Sequence, residues 1–238
     1  MLKDFFETAS SIIFPVECET CKAVLSPLPP LGVCARCESE IKILRAPHCA
    51  TCGRTLANDG PKCAECYNES FHFDRAFACA LYEGKMKELL HAYKFGRRKY
   101  LKNFFLKIMS QFVHAYVKTE HFDAVAAVPI DPKKKRERGF NQSELLSKKL
   151  AARLKLPHAS RGLSRTRSSS PQSLLSKQDR KQNVQGCFLV KAKESFREKR
   201  VLLIDDILTT GQTASECARI LKEAGARSVT LLACARGF

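Results

Sequence analysis

The chain has little that would carry it into a membrane. Among its 238 residues no apolar run approaches the roughly 20 positions needed to span a bilayer. The opening residues set Asp4 and Glu7 among Phe5, Phe6, Ile12 and Ile13, with no basic start and no small-residue cleavage site. No signal peptide and no membrane insertion are therefore expected, and the expected location is cytoplasmic. Acids are scarce as well: 24 Asp and Glu face 41 Lys and Arg, a net charge of +17. Between Lys133 and Lys181 there are 15 Lys and Arg against three acids, Glu137, Glu144 and Asp179, so this segment holds +12 of the excess. Charge of one sign concentrated in one segment suits a polyanionic partner better than it suits a merely solvated surface.

Cysteine is abundant. Twelve cysteines in a chain with no export signal point to metal rather than to disulfides. Eight of them form four Cys-x2-Cys turns: Cys18 and Cys21, Cys34 and Cys37, Cys49 and Cys52, Cys63 and Cys66. Twelve residues separate the first two turns and ten separate the last two. Each turn aims two thiolates at one ion, and two turns complete a tetrahedral S4 site, so two structural zinc (Zn) ions are expected. Sequential pairing of the turns is simplest, and interleaved pairing stays open. His48, beside Cys49, is not needed as a ligand. Closed four-cysteine sites leave no open position for catalysis. The module has too few apolar residues to fold alone, so metal must supply its stability. Cys79, Cys187, Cys217 and Cys234 lie in apolar stretches and read as small core residues.

The densest chemistry lies in Val201-Leu202-Leu203-Ile204-Asp205-Asp206-Ile207-Leu208-Thr209-Thr210-Gly211-Gln212-Thr213. Four branched apolar residues without alternation read as a strand buried on both faces of a parallel sheet. Asp205 and Asp206 follow where the strand is expected to end. A hydroxyl-rich glycine turn then feeds a helical pattern through Cys217, Ile220, Leu221 and Ala224, stopped at Gly225. Ligands of open parallel sheets sit beyond the carboxyl ends of strands. Free N–H groups at a helix start bind phosphate, Gly211 permits close backbone approach, and Thr209, Thr210 and Thr213 add hydroxyls. Two carboxylates repel phosphate, so they should face a diol or a metal ion shared with the ligand. The expected ligand carries a phosphate at one end and a diol at the other.

A second strand–loop–helix unit precedes this one. Asp123 to Val128 reads as a buried strand ending at Pro129, then Ile130, Asp131 and Pro132, then a basic loop from Lys133 to Gln142. Its helix turns Leu145, Leu146, Leu150 and Leu154 inward. Arg136 and Arg138 are candidates for a pyrophosphate, because guanidinium binds phosphate in two-pronged fashion, and Gly139 allows close approach. Lys133, Lys134 and Lys135 read as a solvated or polynucleotide-facing cluster. Before it, Ala76 to Tyr82 reads as a strand, Met86 to Tyr93 and Leu101 to Tyr116 as helices, and Phe95 to Lys99 as a basic break. Residues 161 to 186 read as a long polar loop, either functional or a linker. Cys187 to Val190 and Val229 to Ala233 read as further strands.

The thirteen residues from Val201 resemble the 5-phosphoribosyl 1-pyrophosphate (PRPP) signature of type I phosphoribosyltransferases. The paired cysteine turns, Val128-Pro129, Arg138-Gly139-Phe140-Asn141-Gln142, Arg165 to Gln172, Leu175 to Arg180 with Asn183, and the Asp205–Gly211 loop together resemble the ComF family of competence proteins. The resemblance covers nearly the whole chain. Ser169 stands where the family usually has Thr, and Gln212 where it has a small residue. It implies an α/β fold: a type I phosphoribosyltransferase-like parallel sheet flanked by helices over residues 71–238, preceded by a small N-terminal double zinc-ribbon module over residues 1–70. It implies Asp205 and Asp206 at the reacting centre. It also implies PRPP contacts from Ile207 to Thr213 and from Pro129, Ile130, Arg136, Arg138 and Gly139. A flexible loop would carry Arg165, Arg167, Ser169, Gln172, Arg180 and Asn183.

Three functions fit these features. The first, which the resemblance implies, is a protein of DNA uptake and natural transformation that binds PRPP with magnesium (Mg) and holds single-stranded DNA on Lys133, Lys134, Lys135, Arg136 and Arg138, with Phe140 and Phe95 as candidates to stack on bases and Tyr93 a weaker one, since core packing is its simpler job. The second is an active phosphoribosyltransferase with an unnamed acceptor. The third is a zinc-ribbon scaffold docking competence partners such as a helicase or a recombination mediator.

Overall fold

The computed structural model describes residues 16–25, 31–57, 60–159, 162–166 and 184–237. Six strands appear in chain order: β1 Arg75–Leu81, β2 Ala124–Ala127, β3 Leu163–Arg165, β4 Phe188–Val190, β5 Arg200–Leu208 and β6 Ser228–Arg236. The helices are α1 Ala35–Ser39, α2 Ala64–Tyr67, α3 Gly84–Phe95, α4 Lys102–Tyr116, α5 Pro132–Arg138, α6 Gln142–Leu154 and α7 Gln212–Glu223. A four-stranded sheet in the order β1-β6-β5-β2 forms the centre, and its three pairings are all parallel.

β5 lies between two neighbours, so its unalternating apolar run is buried throughout from Val201 to Ile204. Helices cover the sheet: α6 packs on β2 and β5, α7 on β5, β6 and β4, and α4 on α6 and β1. The α4 face of Phe104, Phe105, Ile108 and Phe112 is buried as its spacing requires. Pro157, His158 and Ala159 extend the sheet past β2, through Val125 N–H to Pro157 O and Ala159 N–H to Val125 O, both 2.9 Å.

Three boundaries differ from expectation. β5 does not stop before the acidic pair: Asp205 pairs with Ala233, Ile207 with Ala235 and Leu208 with Arg236. The acids therefore sit within the strand rather than beyond it, because β6 continues three residues past Ala233, to Arg236, and stays paired with β5 as far as Leu208. The basic segment after Pro132 is not a loop but α5. Pro132 occupies the first helical turn, the Asp131 side chain caps it by accepting from Lys133 N–H at 2.8 Å, and Gly139 ends it at φ 78°. Within the long polar stretch, Leu163–Arg165 pairs antiparallel with β4 as a small second sheet. Arg167, Ser169, Gln172, Arg180 and Asn183 lie outside the described residues.

The cysteine turns pair sequentially: Cys18, Cys21, Cys34 and Cys37 in one cluster, Cys49, Cys52, Cys63 and Cys66 in the other. The ribbons are fused to the sheet rather than hung from it. Leu44 N–H donates to Cys79 O and Leu81 N–H to Lys42 O, each at 2.9 Å, so residues 42–44 add an antiparallel edge to β1. Cys18, Val33, Cys37, Ile41 and Leu44 share the main core. His48 is packed among Phe77, Phe112 and Tyr116 rather than turned to metal; burial lowers its pKa.

Candidate phosphoribosyl cleft and zinc sites

A cleft of about 330 Å³ opens at the carboxyl ends of β2 and β5. Ile207 to Thr213 form one wall, Val128 to Asp131 another, and Lys94, Lys134, Arg138 and Arg165 bring four cations to its rim. Gly211 adopts φ 78°, a conformation that favours glycine, and caps the start of α7. The loop thus presents the first N–H groups of a twelve-residue helix beside three threonine hydroxyls.

The acidic pair is held from three sides. Ser143 Oγ donates to Asp205 Oδ1 at 3.0 Å, and Asp206 N–H donates to the same oxygen at 2.8 Å. Lys94 Nζ meets Asp206 Oδ1 at 2.8 Å. Among the described residues no protein group bonds Oδ2 of either acid. The two remaining oxygens can accept from hydroxyls or ligate a hard cation. Burial, then the neighbouring Asp206 charge, pushes the Asp205 carboxyl from 3.8 up to about 7, against the opposing pull of Lys94, Asp206 N–H and Ser143.

Across the cleft, the Asn141 side chain caps α6 by accepting from Ser143 N–H at 3.1 Å and donates to Val128 O at 3.1 Å. It ties the Val128–Asp131 turn to the helix that delivers Ser143. Arg138 donates to Gln142 Oε1 at 3.3 Å and lies 4.6 Å over the Phe95 ring, so its guanidinium is aimed before any ligand arrives.

The structure gathers most of the expected residues. Asp205, Asp206, Ile207 to Thr213, Pro129, Ile130, Arg138 and Arg165 all line the cleft. Arg136 and Gly139 do not: α5 turns Arg136 to solvent, and Gly139 serves as the helix stop. Lys133 and Lys135 are exposed outside the cleft, while Lys134 lines it. Phe140 and Tyr93 are buried against each other and offer no face to a base. Phe95 is 57% exposed, its ring tilted against that of His91. Sequence reasoning missed Lys94, Ser143 and Tyr82. Ser143 was within reach, standing at the start of the helix capped by Asn141. Nothing marks Lys94 among the lysines of α3.

Within each cysteine cluster the four Sγ atoms lie within 4.8 Å of one another. Cys21 and Cys34 Sγ are 3.6 Å apart, and Cys52 and Cys63 Sγ 3.7 Å. Zinc bound to four thiolates demands about 4 Å between sulfurs. Backbone N–H groups of Cys34 and Cys63 point at Cys18 and Cys49 Sγ at 3.4 and 3.3 Å, which supports thiolate charge. Both clusters fit structural zinc.

The fold and cleft define a phosphoribosyltransferase-fold protein carrying a double zinc ribbon. Residues 141–237 match the phosphoribosyl transferase domain family and residues 9–67 the double zinc ribbon domain. Competence protein F of Haemophilus influenzae is 28% identical over 209 residues, covering 86% of this chain and 90% of that protein. DNA utilization protein YhgH of Escherichia coli is 28% identical, covering 90% and 94%. Competence protein ComFC of Streptococcus pneumoniae is 27% identical, covering 83% and 84%. Over most of its length the chain is thus similar to proteins named for competence and DNA utilization. Among the described residues no helix is long and apolar enough to cross a membrane.

Proposed function

We propose that this protein binds PRPP with magnesium in the cleft and single-stranded DNA on the adjoining basic surface, and that it serves DNA uptake in natural transformation from the cytoplasm. The observation that carries the reading is the opposition, across one cleft, of a helix-start loop, an acidic pair and the cations Lys134, Arg138 and Arg165. The loop from Thr209 to Thr213 takes the 5-phosphate on backbone N–H groups. Asp205 and Asp206 accept hydrogen bonds from the ribose hydroxyls through their Oδ2 atoms. The Pro129–Ile130 turn, Arg138 and Arg165 take the pyrophosphate. Magnesium, when bound with the ligand, neutralises pyrophosphate charge. The names of the relatives supply the competence setting; the basic face of α5, with Lys133, Lys135 and Arg136 exposed beside the cleft, supplies the DNA surface. The division into residues 1–70 and 71–238 remains part of this proposal.

A second reading, transfer of the phosphoribosyl group to an acceptor, is favoured by Asp205. A carboxyl held near neutrality beside the ribose site suits proton transfer. Calorimetric titration of Mg-PRPP into the wild type and into Asp205→Asn/Asp206→Asn tests binding. Heat from the wild type and none from the double variant is expected. No heat from a folded, zinc-loaded wild type would sink the reading.

A further inference from the structure

Two contacts, through Phe71 and Arg236, join the second zinc ribbon to the phosphoribosyl loop, and His72, in the segment that follows the ribbon, adds a third hold on the loop. Phe71 packs on the Cys49–Cys66 cluster on one side. On its other side it touches the loop so closely that a Cβ added at Gly211 would stand 3.0 Å from its ring. Phe73 stacks behind it, with ring centres 4.8 Å apart. Arg236, buried at the end of β6, donates from Nη1 to Cys52 O at 3.0 Å. Its backbone is registered with Leu208 and accepts from Tyr82 N–H at 2.7 Å, and both of those residues line the cleft. His72 donates its backbone N–H to Ser215 Oγ at 2.9 Å, and Ser215 N–H in turn bonds Gly211 O at 2.8 Å.

The first ribbon leads elsewhere. Its Glu38 pairs with Lys107 on α4, and its Glu19 with Arg98 of the basic break and with Tyr100 just after it. We infer that the second ribbon is a brace for the phosphoribosyl loop, with Phe71 and Arg236 as positioning residues that hold the Thr209–Thr213 backbone in its phosphate-binding form. The physical reason is that a glycine-containing loop has little side-chain packing of its own. Its N–H groups stay converged only if something outside the loop fixes them. The ligand named here rests on the proposed PRPP reading; the brace itself does not.

The test uses the full zinc-loaded chain, with Phe71→Leu, Arg236→Met and, as a control on the first ribbon, Glu38→Gln. Hydrogen exchange at residues 209–215 reads the brace without any ligand. Faster exchange there in the first two variants, with zinc content at the wild-type level, is expected; unchanged exchange overturns the brace. Mg-PRPP calorimetry at two temperatures below the melting transition reads the consequence. Phe71→Leu and Arg236→Met should bind about tenfold more weakly at both temperatures, and Glu38→Gln as the wild type does. A loss that disappears on cooling would mark Phe71 and Arg236 as ordinary core residues and overturn the inference. A wild type that binds no Mg-PRPP refutes the phosphoribosyl reading alone, and the exchange result still decides the brace.

Discussion

Lys94 Nζ lies 2.8 Å from Asp206 Oδ1, and each side chain keeps less than a fifth of its surface exposed, 16% and 13%. The lysine comes from the end of α3 and the acid from the end of β5, so the pair closes the cleft across the fold. It offsets the charge of one of two adjacent acids and pulls against the burial and the Asp206 charge that raise the pKa of the other.

Breaking this pair should cost more than a surface ion pair does. Lys94→Met leaves the Asp206 charge mostly buried beside Asp205. Urea denaturation should show a loss of about 1–3 kcal/mol. Asp206→Asn in the same background should restore part of it, and additive losses would argue against direct coupling.

Asp205 makes stability depend on pH. Its folded pKa of about 7 stands above its ordinary 3.8, so the folded state binds the proton more tightly. The resulting stabilisation is complete below pH 3.8 and is lost as pH rises through about 7. Relative to Asp205→Asn, wild-type stability should therefore fall between those values. Denaturant midpoints measured across that window give the check, and parallel curves for the two proteins would contradict the raised pKa.

Two glycines separate backbone strain from packing. Gly139 and Gly211 both sit at φ 78°, but the space around a Cβ at Gly139 is open while that at Gly211 meets Phe71. Gly139→Ala should cost about 1 kcal/mol. Gly211→Ala should cost more and also weaken Mg-PRPP binding. Equal costs with equal affinity would deny the loop its role.

Arg136 and Arg138 are two residues apart and should behave differently. Arg138→Ala removes a cleft cation and should reduce Mg-PRPP affinity. Arg136→Ala should leave that affinity alone and lower the salt slope of single-stranded DNA binding by about 1. Fluorescence anisotropy with a labelled oligonucleotide across a salt series reads the slope.

Zinc removal should act one site at a time. Cys18→Ser should lower the zinc content of the chain without emptying the Cys49–Cys66 site, because the clusters share no ligand. Elemental analysis would show a complete loss if the two sites were one.

Much of the architecture was legible because it is written in local pattern. The Cys-x2-Cys spacings, the unalternating strand before Asp205 and the glycine turn after it each specify geometry within a few residues. The capping signals of α5 were present too, in Asp131, Pro132 and Gly139, yet its run of lysines and arginines masked a short helix as a solvated loop. Lys94 could not be singled out, since a lysine on a helix is ordinary until the strand it faces is known. Phe140 misleads for the same reason: beside a basic run it reads as a stacking face, and only the fold buries it under Tyr93.

By itself the sequence determined the four Cys-x2-Cys turns, the parallel core strand and the glycine turn before α7, because thiolate spacing, apolar runs and turn glycines are properties of short segments, whereas the sequential pairing of the cysteine turns came from the structure. The tertiary structure decided which cation meets Asp206, which arginine enters the cleft and which ribbon supports the loop. Those depend on helices and strands far apart in the chain meeting at one edge of a sheet, and burial at that edge sets the charge of Asp205.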